Sequence, residues 1–98
     1  MIIVTGSILA RADTLDELIR LSLEHVGRSR REPGCLAHAV HRDVENPLCL
    51  VFVEEWVDRA ALMTHFAVPA SQAFVKRAAA LGAAPPTLNV YEAAKVRM

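Results

Sequence analysis

A single α+β domain is the fold class this sequence predicts, in the order strand, helix, strand, strand, helix, helix, strand. Three observations predict it. Short β-branched and apolar runs open the chain, pair in its middle and close it. Stretches whose apolar residues recur at three- and four-residue spacing separate them. Turn-forming residues, Pro33-Gly34, Asn46-Pro47 and Pro85-Pro86, fall at the junctions. At 98 residues there is room for one hydrophobic core, so residues 1–98 read as one domain.

Ile2 to Ala10 is apolar and β-branched with Thr5, Gly6 and Ser7 interrupting, and reads as the first strand. Thr14-Leu15-Asp16-Glu17 has the form of a capping box, in which Thr14 and Glu17 satisfy each other's backbone amides. The helix that starts there places Leu15, Leu18, Ile19, Ser22 and Val26 on one stripe and runs to about Arg31, where Pro33-Gly34 ends it. Arg28, Arg30 and Arg31 read as cations complementing the helix dipole at its C-terminus rather than as an anion site. Asp58 is a fitting N-cap for a short helix carrying Ala61, Leu62, His65 and Phe66 on one side. Pro69 breaks that helix, and another follows from about Ala70 to Leu81 with Phe74, Ala78 and Leu81 inward. Gly82 and Pro85-Pro86 close it before a last strand, Thr87 to Ala94.

The middle strands, Cys35 to Asp43 and Leu48 to Val57, form a hairpin around Val44-Glu45-Asn46-Pro47. If Val44 faces Leu48, then His38 lies opposite Glu54, Leu36 opposite Trp56 and Val40 opposite Phe52. Both faces are then mostly apolar, although a small antiparallel sheet usually keeps one face wet. Helices of the same chain cover one face, and an identical sheet from a second copy is the expected cover for the other. Strand parity alone leaves open which face meets the helices. The same register sets Cys35 and Cys49 roughly 26 Å apart along the sheet, which excludes a bridge between them.

Composition points the same way. The hydrophobic share of 53% is rich for a lone soluble domain, so a homodimer is expected. Eleven basic and eleven acidic residues cancel, which gives no reason to expect nucleic acid or an anionic membrane surface as partner. The longest apolar run in a candidate strand, Leu48 to Val53, is far short of the roughly 20 residues that a membrane span needs. The N-terminus lacks the pattern of a signal peptide, and the expected location is the cytoplasm.

With the elements in this order, the local sequence resembles the antibiotic biosynthesis monooxygenase family over nearly the whole chain. The residues that carry the resemblance are Glu32-Pro33-Gly34-Cys35-Leu36, Val53-Glu54-Glu55-Trp56, Ala61-Leu62 with His65, Pro69 with Ala73-Phe74, and Tyr91-Glu92. It implies a ferredoxin-like β-α-β-β-α-α-β fold with a four-stranded antiparallel sheet, paired into a dimeric α+β barrel. It also implies a range of activities: cofactor-independent oxygenation of quinols and anthrones, haem degradation, or isomerisation of a small phosphorylated sugar. The haem branch carries an asparagine, a tryptophan and a histidine where this chain has Ser7, His65 and Val75, so the axial ligand is missing. Ala70 also replaces a histidine that many relatives carry after the proline.

His25, His38, His41 and His65 lack paired-ligand spacing, and no glycine-rich phosphate loop is present, so neither a metal nor another cofactor is expected. His65 and His38 are the candidate catalytic residues. The resemblance puts His65 at the wall of a cleft between helices and sheet; a helix histidine bonded to a backbone carbonyl is the alternative. Glu54 opposite His38 would orient the imidazole as a general base, or the two would only satisfy each other at a dimer interface. Trp56, Phe66 and Phe74 are candidate apolar walls, Trp56 reading first as core. Ser7 and Thr5 are candidates to hydrogen-bond a substrate oxygen. The leading expectation is a cofactor-independent monooxygenase using O2 and a small aromatic substrate, quinol or anthrone, as its own reductant. A non-catalytic ligand-binding or accessory domain of the same fold is the alternative, followed by the sugar-phosphate isomerase.

Overall fold

A computed structural model describes residues 1–98 and shows the expected order. The elements are β1 (Ile2–Leu9), α1 (Leu15–Ser29), β2 (Cys35–Arg42), β3 (Cys49–Trp56), α2 (Arg59–Ala67), α3 (Pro69–Leu81) and β4 (Thr87–Glu92). The four strands form one antiparallel sheet in the order β2-β3-β1-β4, a ferredoxin-like arrangement. All three helices lie on one side, giving a slab of 41 × 33 × 20 Å whose thin dimension is one sheet plus one helical layer.

The even-numbered residues of β1 and β3 face the helices. Ile2, Val4 and Ile8 on β1, with Leu50, Phe52, Glu54 and Trp56 on β3, are all buried. The parity left open by the sequence is thereby settled. Against them α1 lays Leu15, Leu18, Ser22, His25, Val26 and Ser29, α2 lays Leu62 and His65, and α3 lays Ser71, Phe74, Ala78 and Leu81. The apolar part of this layer falls into two clusters. One is built around Leu18, Leu50, Phe52 and Phe74, the other around Ile2, Val4, Trp56 and Leu62.

Two local expectations are corrected. The hairpin register holds from Ala37 to Arg42, including His38 opposite Glu54, but Cys35 rather than Leu36 pairs with Trp56. A bulge between Cys35 and Ala37 accommodates the extra residue, and Leu36 is exposed. The capping box does not form. Thr14 Oγ1 instead donates to the Leu81 carbonyl at 2.8 Å and accepts from the Arg11 amide at 3.0 Å, while Glu17 is drawn to Arg77 at 2.8 Å. The hydroxyl thus joins the start of α1 to the end of α3. Asp58 caps α2 as expected, its Oδ1 accepting from the Ala61 amide at 2.9 Å.

Gly34 turns the chain from α1 into β2 with φ +84°, and a β-carbon there would sit 2.6 Å from Ala61 Cβ and 2.9 Å from Val57 Cγ1. Backbone and packing both demand glycine. Gly34→Ala is expected to destabilise the fold by about 1–3 kcal/mol from overpacking alone, read as a lower urea midpoint.

Candidate functional site

Where α1 and α3 pass over the sheet they leave a cleft of about 620 Å³. Ile8, Phe52, Phe66 and Phe74 supply apolar wall, and of the four titratable side chains on its lining three, His25, Glu54 and His65, gather together, with Lys76 the fourth. The polar groups lie between the two apolar clusters. His25 stacks on Phe74 with ring centroids 4.2 Å apart, and His65 lies against Trp56 at 4.6 Å.

His65 is held from behind. Its Nδ1 lies 3.0 and 3.1 Å from the two carboxylate oxygens of Glu32. An ionised carboxylate only accepts, so Nδ1 carries a proton, and in the neutral form of the ring the lone pair is on Nε2. Nε2 in turn lies 3.9 Å from Glu54 Oε1. Glu54 accepts the Trp56 indole N–H at 2.9 Å and lies 3.3 Å from His38 Nε2. That last approach is too poorly aligned for a hydrogen bond, so both ring nitrogens of His38 are without a partner. Burial alone would raise the Glu54 pKa, but His38, the Trp56 N–H and His65 outweigh it and hold the carboxyl below its usual value.

His25 belongs to the same group. Burial, then the neighbouring His38 and His65, lower its pKa from 6.5 to about 3, with Glu54 opposing and Arg28 adding to the fall. It is therefore neutral at pH 7. Arg28 and Arg30 are turned to carbonyl oxygens of Ala70 and His38, which lie outside α1.

The structure brings His65, Glu54, Phe66 and Phe74 to the cleft. His38 sits behind it, 2% exposed and outside the lining, so it reaches the cleft only through its neighbours. Trp56 is fully buried and serves as the donor that positions Glu54 rather than as a substrate wall. Thr5 is on the opposite face of the sheet, because the odd residues of β1 point away from the helices, and it does not reach the cleft. Ser7 borders the cleft, but its hydroxyl shares a 2.7 Å hydrogen bond with Thr87 Oγ1. Cys35 and Cys49 are free.

Sequence reasoning missed His25 and Glu32. His25 follows Ser22 by three residues on the inward stripe of α1, a signal that was present. Glu32 was visible only as part of the corner before Gly34. The histidines lack ligand spacing along the chain, yet three of them converge in space. One ring nitrogen from each of His25, His38 and His65 lies within 4.8 Å of the other two. Ligand spacing along the chain detects residues on one element, whereas these come from α1, β2 and α2.

Comparison with known proteins gives a consistent picture. A family model described as antibiotic biosynthesis monooxygenase matches residues 1–77. The uncharacterised Synechocystis protein sll1783 is 34% identical over 96 residues, covering 98% of this chain; the match spans 65% of that relative's own length. A Deinococcus radiodurans structure, named provisionally as an antibiotic biosynthesis monooxygenase, superposes with a TM-score of 0.94 at 26% identity, covering 100% of this chain and 97% of the other. A second structure, named antibiotic biosynthesis monooxygenase, superposes at 0.89 with 32% identity, covering 97% of this chain and 100% of the other.

Proposed function

Because this chain belongs to the antibiotic biosynthesis monooxygenase family, we propose that it is a monooxygenase of an electron-rich aromatic molecule of the quinol or anthrone type, with the substrate as sole reductant of O2. The observation that carries this reading is the cleft itself: apolar, aromatic walls around His65, whose Nε2 lone pair is fixed by Glu32. Such walls suit a flat aromatic, and a neutral imidazole suits removal of an activated C–H or O–H proton.

For an anthrone the steps balance as follows. A proton of the methylene passes to His65 Nε2, and the resulting enolate gives one electron to O2. Superoxide and the carbon radical join in a C–O bond. His65 returns its proton to the distal oxygen, the O–O bond breaks, and the second methylene hydrogen leaves with that oxygen as water. The methylene becomes a ketone, losing four electrons, and O2 gains four. The protein's share is orientation, exclusion of water and movement of the proton.

The test is O2 uptake by chelator-treated protein with dithranol-like anthrones and menadiol-like naphthoquinols. Acceleration over uncatalysed autoxidation is expected. Compounds that bind without acceleration would leave a ligand-binding protein and overturn the enzyme reading. A sugar phosphate is less favoured, since Lys76 is the single lysine or arginine among the lining residues.

We also propose that a second copy covers the helix-free face. The chain exposes 6280 Å², against roughly 5,500 Å² expected for a monomer of its mass. Every residue of β4 is exposed, Leu88, Val90 and Tyr91 among them. The expected interface buries well above roughly 1,000 Å². Light scattering that finds a stable monomer at micromolar concentration would refute it.

A further inference from the structure

The cluster of His25, His38 and His65 has more nitrogen than its neighbours can satisfy. All three residues are buried, and His25 Nδ1 together with both nitrogens of His38 lack any hydrogen-bond partner. Buried polar atoms in folded proteins nearly always have one, so three orphaned nitrogens in one cluster need a physical reason. The charge balance is unusual as well. Two carboxylates of low exposure, Glu54 and Glu32, contact the cluster, and their ion-pair contacts are to histidine rather than to arginine or lysine.

We propose that His25, His38, His65 and Glu54 form a binding site for one late first-row divalent metal ion, of the Zn²⁺ or Co²⁺ kind. Ligands of a tetrahedral ion at about 2.0–2.1 Å lie roughly 3.3 Å from one another. Glu54 Oε1 is already 3.3 Å from His38 Nε2 and 3.9 Å from His65 Nε2. The three histidine nitrogens, within 4.8 Å of one another, close to that spacing by side-chain rotation of roughly an ångström or so. Three imidazoles and one carboxylate suit zinc, copper, nickel or cobalt, whereas magnesium and calcium take oxygen ligands.

The surroundings fit. Glu32 on His65 Nδ1 is the carboxylate–histidine arrangement that fixes the tautomer and leaves Nε2 free to ligate. A doubly charged cation balances the two carboxylates. His25, His65 and Glu54 all line the cleft, which gives the ion its path in.

The site stands apart from the oxygenase reading, because binding is measured without substrate. An ion would occupy the same His65 lone pair that proton removal requires, which is why the oxygenation assays use chelator-treated protein. The experiment is titration of the chelator-stripped full chain with Zn²⁺ by calorimetry and with Co²⁺ by visible absorption. One ion per chain is expected, with the d–d bands of four-coordinate cobalt. His38→Ala is expected to abolish binding, and His41→Ala, at an exposed residue, to leave it unchanged. Because His38→Ala leaves a hole in the core, Glu32→Gln gives a second readout, an expected loss of about 10–100-fold in affinity. No saturable one-to-one binding would overturn the proposal. So would binding that survives both His38→Ala and Glu32→Gln in folded protein.

Discussion

Replacing His65 with alanine is expected to lower kcat/KM for anthrone oxidation by about 10²–10⁴-fold, the usual contribution of a positioned general base. The fold should survive the change, since His65 sits on the nine-residue helix α2, which Leu62 also anchors. Glu32→Gln tests the same idea without altering shape. An amide can present either oxygen or N–H to Nδ1, so the tautomer is no longer dictated, and a smaller loss confined to kcat is expected. Trp56 offers a third handle. Its N–H holds Glu54 Oε1 beside the imidazoles, so Trp56→Phe keeps an aromatic ring in the core while freeing the carboxylate. His41, exposed on β2, is the control. Oxygen uptake by His65→Ala equal to the parent protein would remove this residue from the chemistry.

How much of this was legible in the sequence differs from residue to residue, for physical reasons. The His38–Glu54 pairing could be read because a hairpin register is fixed locally, by a turn and a period of two. The same reasoning failed at Leu36, because a bulge at the end of a strand answers to the corner at Gly34 and not to the turn. Thr14 was misread in a similar way. Its hydroxyl is used by the Leu81 carbonyl, 67 residues along the chain, and no local motif announces that contact. The site shows the difference most clearly. His65 was found from its helix face, but Glu32, His25 and His38 meet it only because α1, the corner after it, β2 and α2 converge beside β3. Hydrophobic periodicity located the inward stripe of α1 correctly and then passed over His25, since an inward imidazole contributes little to an apolar pattern.

That imidazole makes acid sensitivity the second large effect expected of the metal-free protein. His25 has a folded pKa of about 3 against 6.5 when unperturbed. Between those values the unfolded chain binds a proton that the folded chain refuses, so stability is full above pH 6.5 and falls as the pH drops toward 3. Burial is the main cause; His38 on β2, His65 on α2 and Arg28 on its own helix add to it, and Glu54 on β3 opposes it. In chelator-containing buffer the stability is expected to fall by roughly 1 kcal/mol from this group between pH 7 and pH 5.5, read from urea midpoints. Glu54, whose pKa is also lowered, loses its contribution only as the pH falls below its usual value of 4.5, so it does not contribute to the upper window. His25→Phe keeps the stacking on Phe74 and removes the titrating group, and it is expected to flatten the dependence over that window. An unchanged slope in His25→Phe would place the acid-sensitive group elsewhere.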